Sequence, residues 1–235
     1  MKKIPNTLKH FFLSPLSSIP YWWVFIVFVG FAYVFFMPQH PPMDWALYTN
    51  GLWSNGLDLY QDPSRINPPW GLILLLPYYW MGASGSRFFS VLVIGWLCRN
   101  RKWSLSHFLA ITFNMYFIIT MTKSNMDILV LVFPILLWET VRNTRWQSLG
   151  FGLSIPIFLL KPQGAIFVLM YLFWQERAHW RGLISPLFIA GLILLPISLV
   201  GSPPLFIQWI ENIQNPSTTN IFYWGTNNIS ITAHL

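Results

Sequence analysis

The chain has 235 residues, of which 54% are hydrophobic and only 9% are charged. Soluble domains carry roughly 25% charged residues, so this composition excludes an ordinary water-exposed globular surface. The formal net charge of +7 would suit nucleic-acid binding, but in a membrane protein basic residues set orientation instead. The sequence therefore predicts a multi-pass membrane protein that binds lipid and has no nucleic-acid partner. A single cysteine, Cys98, excludes an intramolecular disulfide.

Apolar segments follow one another along the chain, separated by short linkers. Backbone polar groups inside a bilayer must be hydrogen-bonded within their segment, and these runs lack the alternation of barrel strands. Each segment is therefore predicted to be helical, and the fold class to be an all-α polytopic membrane protein with a single domain over residues 1–235. The segments lie at residues 19–37, 70–81, 88–98, 105–121, 128–138, 146–160, 165–174 and 183–200.

The segment at 70–81 differs from the others. It is short, follows Pro68 and Pro69, and contains Pro77, so we predict a re-entrant or half-spanning helix. If it crossed, the basic linkers "RNRK" and "RNTR" would both face outward, against the positive-inside rule. Seven transmembrane helices therefore remain. The N-terminus and the linkers at 99–102, 142–145 and 175–182 are then cytoplasmic, and residues 38–68 and 201–235 are external.

Five polar patches share the external side under this topology. Ionisable groups at membrane depth are costly, so they suggest a function by default. We interpret the patches as lining a site where a hydrophilic reactant meets a lipid-borne one. They are the stretch around Asp44 and the sequences "RINPPW" (65–70), "TKSNMD" (122–127), "LKPQG" (160–164) and "TNNIS" (226–230).

The order of these motifs resembles that of the polyprenyl-phosphate-sugar-dependent hexosyltransferases of the GT-C superfamily, notably the bacterial alpha-mannosyltransferase-like group. An acid in the first external loop is similar to Asp44, which precedes Tyr48 in the same pattern. The other family elements follow in order. A Tyr-Pro-Pro element is matched by Asn67-Pro68-Pro69, a Gly-Gln-x-Asn element by Asn125, a Lys-Pro pair by Lys161-Pro162, and an Asn-Gln-Ser element by the stretch beginning at Asn227.

Two departures from the family pattern stand out. The Gly-Gln positions are occupied here by Lys123 and Ser124, which changes the contacts expected there. Members of the group usually continue with several more helices, so the chain to Leu235 is expected to lack the C-terminal helices of the family and to be a fragment, a minimal variant or an inactive relative.

The resemblance implies an inverting hexosyltransferase on the extracytoplasmic face of the plasma (inner) membrane. It would move a mannose-like hexose from a polyprenyl-phosphate sugar to a hydroxyl of a glycan or glycolipid acceptor. No organic cofactor is expected, and a divalent metal is left open. Asp44 would be the catalytic base. The substrate-binding residues would be Tyr48, Arg65, Asn67, Lys123, Asn125, Lys161, Gln163 and Asn227, with the cations stabilising the leaving phosphate.

Each assignment has a structural alternative. Asp44 suits a helix N-cap after two prolines. Lys123 and Asp127 have the spacing of an ion pair on one helix, and Lys161 could be a snorkelling helix end. Arg87 is interpreted as interfacial.

Two other functions fit the same residues. A transporter or flippase for a lipid-linked anion would use the external cations without Asp44, although no internal symmetry between two halves is visible. A non-catalytic membrane subunit would account for the altered motifs.

Overall fold

The computed structural model describes residues 12–37, 68–122, 126–177 and 182–214. Within these ranges the chain is helical and has no β-sheet, which confirms the predicted all-α class. Pro15 and Ser104 form an isolated β-bridge. The helices are a 3₁₀ turn at Leu16–Ser18, α1 (Trp22–Phe36), α2 (Gly71–Leu74), α3 (Leu76–Asn100), α4 (Leu105–Thr112), α5 (Met115–Thr122), a π-helical turn at Ile128–Val132, α6 (Phe133–Val141), α7 (Gln147–Phe158), α8 (Pro162–Gln175), α9 (Ile184–Ser198) and α10 (Leu205–Gln214).

The first helix packs antiparallel on α3 through two glycines. A Cβ atom at Gly30 would lie 2.8 Å from the Cδ2 atom of Phe88, and one at Gly95 would collide with Ile26. Without side chains at these two positions the helix backbones approach closely, as small residues allow in membrane bundles. At one end of the pair, the guanidinium of Arg99 lies 5.2 Å from the ring centroid of Trp22.

Helix α3 is interrupted at Gly82, whose φ of 67° and ψ of 179° no ordinary helical residue adopts. Glycine tolerates this left-handed region because it has no Cβ atom. The sequence predicted separate helices at 70–81 and 88–98, but the chain becomes helical again directly after Gly82. The predicted gap before residue 88 is therefore wrong, since a single glycine is enough to break the helix.

The predicted segment at 105–121 forms two helices, α4 and α5, that meet at an angle of 55°. The side chain of Asn114 causes part of this break, because its Oδ1 atom accepts a hydrogen bond of 2.8 Å from the backbone N–H of Tyr116 at the start of α5. The break also leaves carbonyl groups at the end of α4 without helical partners. The buried hydroxyl of Tyr33 donates to one of them, the carbonyl of Thr112.

The second half of the bundle forms its own apolar cluster around Trp138. The indole ring stacks on Phe151 with a centroid distance of 3.7 Å, which joins α6 to α7. Ser154 on α7 donates a hydrogen bond of 3.2 Å to the carbonyl of Pro134 on α6. Gly152 brings α7 against α9, where a Cβ atom would lie 2.7 Å from Ile189.

Contacts between the helix ends define two ends of the bundle. The Arg99 end comprises Trp22, Arg99, Glu139 and Arg142 with their neighbours. There Arg101 pairs with Glu139, and Arg142 Nε lies 2.8 Å from Glu176 Oε1. The linkers at 99–102 and 142–145 therefore share one end, in keeping with their predicted common side.

The opposite end, called the Lys161 end, comprises Met37, Trp70, Thr122, Asp127 and Lys161. Three contacts join these residues. Thr122 Oγ1 lies 3.7 Å from Met37 Sδ, Lys161 pairs with Asp127, and a Cβ atom on Gly71 would lie 3.6 Å from a methyl group of Leu160.

One described helix, α3, is long and apolar enough to cross a membrane, and the bent pair of α4 and α5 would make a second. The predicted segments at 19–37, 128–138, 146–160, 165–174 and 183–200 are present as shorter apolar helices, and the segment at 70–81 is divided between α2 and the start of α3. The structure adds α10, which lies within the region 201–235 where no helix was predicted.

Tight packing at Gly152 yields a testable prediction. In a Gly152→Ala variant the new methyl group would meet Ile189 at 2.7 Å and the backbone oxygen of Pro186 at 3.1 Å, and the backbone cannot move aside cheaply. We expect a loss of about 1 to 3 kcal/mol in the free energy of unfolding, measured with denaturant in detergent micelles.

The matched control for this prediction is Gly191→Ala on α9, because no atom lies within 4 Å of the added methyl group. Alanine is the better helix former, so this variant should be neutral or more stable by up to about 1 kcal/mol. Equal stability of the two variants would contradict the close approach of α7 and α9.

Candidate functional site

The candidate site is the Lys161 end of the bundle. Two of the predicted site residues belong to the described part of the chain: Lys161, which directly precedes α8, and Gln163, which lies in its first turn. The other predicted site residues lie outside the described residues, namely Asp44, Tyr48, Arg65, Asn67, Lys123, Asn125 and Asn227.

Lys161 and Asp127 form an ion pair across the bundle. The ammonium group of Lys161 donates to Asp127 Oδ1. The lysine side chain is 14% exposed and the aspartate side chain 34% exposed, so the pair is half-buried. Lys161 is therefore held by a carboxylate within the bundle and is not a solvent-directed helix end.

Both members of the pair lie at helix N-termini. Asp127 directly precedes the π-helical turn at Ile128–Val132, where the partial positive charge of the helix favours a carboxylate. Lys161 precedes α8, where that same partial charge disfavours an ammonium group. The carboxylate of Asp127 therefore compensates a lysine in an otherwise unfavourable position, which explains why the two side chains meet.

Arg87 is a second cation at this end. The sequence interpreted it as interfacial, and the structure shows in addition that the residue is buried within the bundle, with only 3% exposure. Its Nη2 atom donates a hydrogen bond of 3.2 Å to the carbonyl of Thr122, the last residue of α5. A cation at a helix C-terminus interacts favourably with the carbonyl groups that have no helical partner. A signal for burial was present in the sequence, since Ser86, Arg87 and Ser90 recur on one side of α3 and all three are buried.

The ends of the described segments connect this region to the predicted motifs. Met37 contacts Thr122, and the chain continues from Met37 into the stretch that contains Asp44. Thr122 is followed directly by Lys123. The described residues that precede two of the predicted motifs thus meet at one contact, between residues 85 positions apart.

The chemistry available among the described residues is electrostatic. Guanidinium and ammonium groups bind phosphate or carboxylate anions through charge-assisted hydrogen bonds. Within the described residues, no group of three histidine, cysteine or acidic side chains could hold a metal ion.

A comparison of the chain with protein-family models, with curated proteins and with solved structures finds no match.

The ion pair can be tested with a double-mutant cycle on Asp127→Asn and Lys161→Gln. Each single variant removes the ion pair from a half-buried charge, so we expect each to lose about 1 to 3 kcal/mol of unfolding free energy, between the values for exposed and buried pairs. The double variant should lose less than the sum of the two. Denaturant unfolding in detergent micelles provides the measurement.

The pair of Arg101 and Glu139, at the opposite end, is the control. Its side chains are 48% and 30% exposed, so its coupling free energy should be only about 0.2 to 1 kcal/mol. Additive losses in the Asp127 and Lys161 cycle would show that the two groups do not interact.

Proposed function

We propose that the chain is a polytopic protein of the plasma membrane that transfers a hexose from a polyprenyl-phosphate sugar to a hydroxyl acceptor on the external face. The membrane part of this proposal draws on the outward faces of the helices. On α9, the side chains of Leu187, Phe188, Leu192 and Leu195 are each at least 50% exposed. A helix that is apolar on its exposed face as well as its buried one suits a lipid environment.

Helix lengths bear on how many times the chain crosses. A helix of 15 residues, such as α1 or α9, spans about 22 Å against a hydrocarbon core of about 30 Å. Flanking residues or local thinning of the bilayer can make up that difference. In the proposed topology residues 83–100 of α3 cross the membrane, and residues 70–81 form the half-spanning segment. The position of Gly71 beside Leu160 supports this, because it leaves the start of that segment at the Lys161 end.

The topology predicts opposite accessibility at the two ends. In a Cys98→Ser background, Thr144→Cys at the Arg99 end should react with a membrane-impermeant maleimide only after the cells are opened. Ser202→Cys, after α9, should react in intact cells. Both positions are exposed, so burial does not decide the result. Labelling of both from the same side would overturn the topology.

The transferase part draws on one observation, the half-buried pair of Lys161 and Asp127. Asp127 lies five residues along the chain from Thr122, which contacts Met37. From that contact the chain runs into the stretches that carry Asp44 and Lys123. An ammonium group has three N–H donors, so pairing with Asp127 is compatible with a contact to a phosphate oxygen as well.

The proposed reaction is a single displacement. The acceptor oxygen attacks the anomeric carbon while its proton passes to the carboxylate of Asp44. The bond between that carbon and the phosphate oxygen breaks, and the polyprenyl phosphate leaves with the electron pair. Lys161 and Lys123 stabilise the negative charge that builds up on the leaving phosphate.

The Asp44→Asn variant tests whether Asp44 acts as the general base. The amide keeps the size and the capping ability of the side chain but cannot accept the proton, so transfer should slow by roughly two or more orders of magnitude. The measurement is sugar transfer from a synthetic polyprenyl-phosphate mannose to an alkyl mannoside, with the unfolding midpoint checked for both proteins. Asp58→Asn, an acid of the same stretch, is the control and should keep the parental rate.

Full activity of the Asp44→Asn protein would end the assignment of the base. A parental protein that transfers no sugar from any polyprenyl phosphate would instead favour the non-catalytic subunit.

Transport of a lipid-linked anion is the second candidate function, and the burial of Arg87 favours it. A buried arginine inside an apolar bundle is typical of an ion or substrate path. Such a transporter should move a fluorescent lipid phosphate between leaflets at the same rate with and without Asp44→Asn.

A further inference from the structure

Helix α10 (Leu205–Gln214) differs from the rest of the bundle in having clearly separated faces. The other long helices are apolar nearly all round, whereas α10 alternates at helical spacing between apolar and polar positions. Its apolar residues are Leu205, Phe206, Trp209, Ile210 and Ile213, with Ile207 at the border of the two faces. Gln208, Glu211, Asn212 and Gln214 form the polar side.

The apolar face of α10 is only partly covered by the bundle. Leu205 is fully buried, and the Trp209 ring packs edge-to-face on Trp70 with a centroid distance of 5.6 Å. In contrast, Phe206 and Ile213 are 42% and 46% exposed, although they lie on the same face. The helix is thus anchored along one edge of its apolar face and open along the other.

Exposed apolar side chains also lie at the end of α9, shortly before α10 in the chain. Leu195 and Leu199, at the end of that helix, are at least 60% exposed, and Val200 is also exposed. The chain then turns at Gly201, whose φ of 96° suits glycine, and α10 starts at Leu205. A bilayer whose hydrocarbon covers the outward face of α9 therefore has its boundary near Val200, five residues before α10 begins.

We infer that α10 lies in the interface of the bilayer at the Lys161 end, with Phe206 and Ile213 in the boundary between headgroups and acyl chains. The inference rests on the membrane part of the proposed function. With 10 residues the helix spans about 15 Å, too short to cross, while an amphipathic helix of this kind settles about 5 to 10 Å into the boundary region. Trp70 and Trp209 suit that level, since tryptophan is enriched at membrane interfaces.

The partner of the exposed edge is thus lipid and not a second protein surface. The exposed apolar side chains at the end of α9 carry this choice, because the last of them, Val200, lies only five residues before α10 in the chain. Through the contact of Trp209 with Trp70, the interface also supports the start of the segment that follows the proposed catalytic loop.

Nitroxide accessibility tests the inference on the full chain. Single cysteines replace Ile213, Glu211 or Leu192 in the Cys98→Ser background, carry a nitroxide label, and are reconstituted in phosphatidylcholine–phosphatidylglycerol vesicles. Oxygen collides with the nitroxide mainly when the label lies in the hydrocarbon. A neutral, water-soluble nickel chelate collides with the nitroxide mainly when the label lies in water. We expect the nickel collision rate to be several-fold lower at position 213 than at position 211, and lowest at position 192.

The collision rates of the label at position 192 on α9 distinguish failure of this inference from failure of the membrane proposal. A deep label at 192 together with equal nickel collision rates at 213 and 211 would overturn the interfacial helix alone. Exposure of the label at 192 to nickel would overturn the membrane proposal and the inference with it. A label at 213 that is shielded from both reagents and broadened by a neighbouring label would identify a second copy of the chain, and would also overturn the inference.

If the labelled Ile213→Cys protein does not fold, Phe206→Cys gives the same comparison. It lies on the same face and is exposed to a similar extent, so the same ranking against positions 211 and 192 is expected.

Discussion

The close packing of α1 on α3 determines the arrangement of the rest of the described chain. Gly30 and Gly95 leave room for the facing side chains, and the helices run antiparallel with Arg99 over Trp22 at one end. This orientation leaves Met37 at the other end, against Thr122. The direction of this helix pair thereby decides that Met37 and Thr122 meet at the end of the bundle opposite Arg99.

Breaks in the apolar helices create a second requirement, because an unpaired backbone carbonyl inside an apolar bundle costs free energy. The structure meets it with side chains from other helices. Tyr33 donates to the carbonyl of Thr112 where α4 ends, and Arg87 donates to that of Thr122 where α5 ends. The two buried side chains Tyr33 and Arg87 therefore have a structural role in the first half of the bundle. A functional role for Arg87 would be added to this capping role and would not replace it.

The candidate site could be predicted only in part. The Lys-Pro pair singled out Lys161, and its burial follows from Asp127, 34 residues earlier in the chain. Sequence spacing pointed instead to Lys123 as the partner of Asp127, because helical periodicity describes only neighbours on one helix. Arg87 was missed for the same reason: its partner Thr122 belongs to a different helix, 35 residues away.

Composition and hydrophobic runs determined the all-α class and most helix positions, because an apolar segment buries its backbone by local hydrogen bonding alone. The arginines themselves also predicted that the linkers at 99–102 and 142–145 belong together, and the structure places both at one end of the bundle. Only the tertiary structure decided where the helices break, at Gly82 and before Met115, and that α10 forms after the last apolar run. The end of α4 and the position of α10 involve contacts between distant residues, Tyr33 with Thr112 and Trp70 with Trp209, which a local pattern of hydrophobicity does not contain. The break at Gly82 has a local cause, but hydrophobicity does not distinguish that glycine from others inside helices.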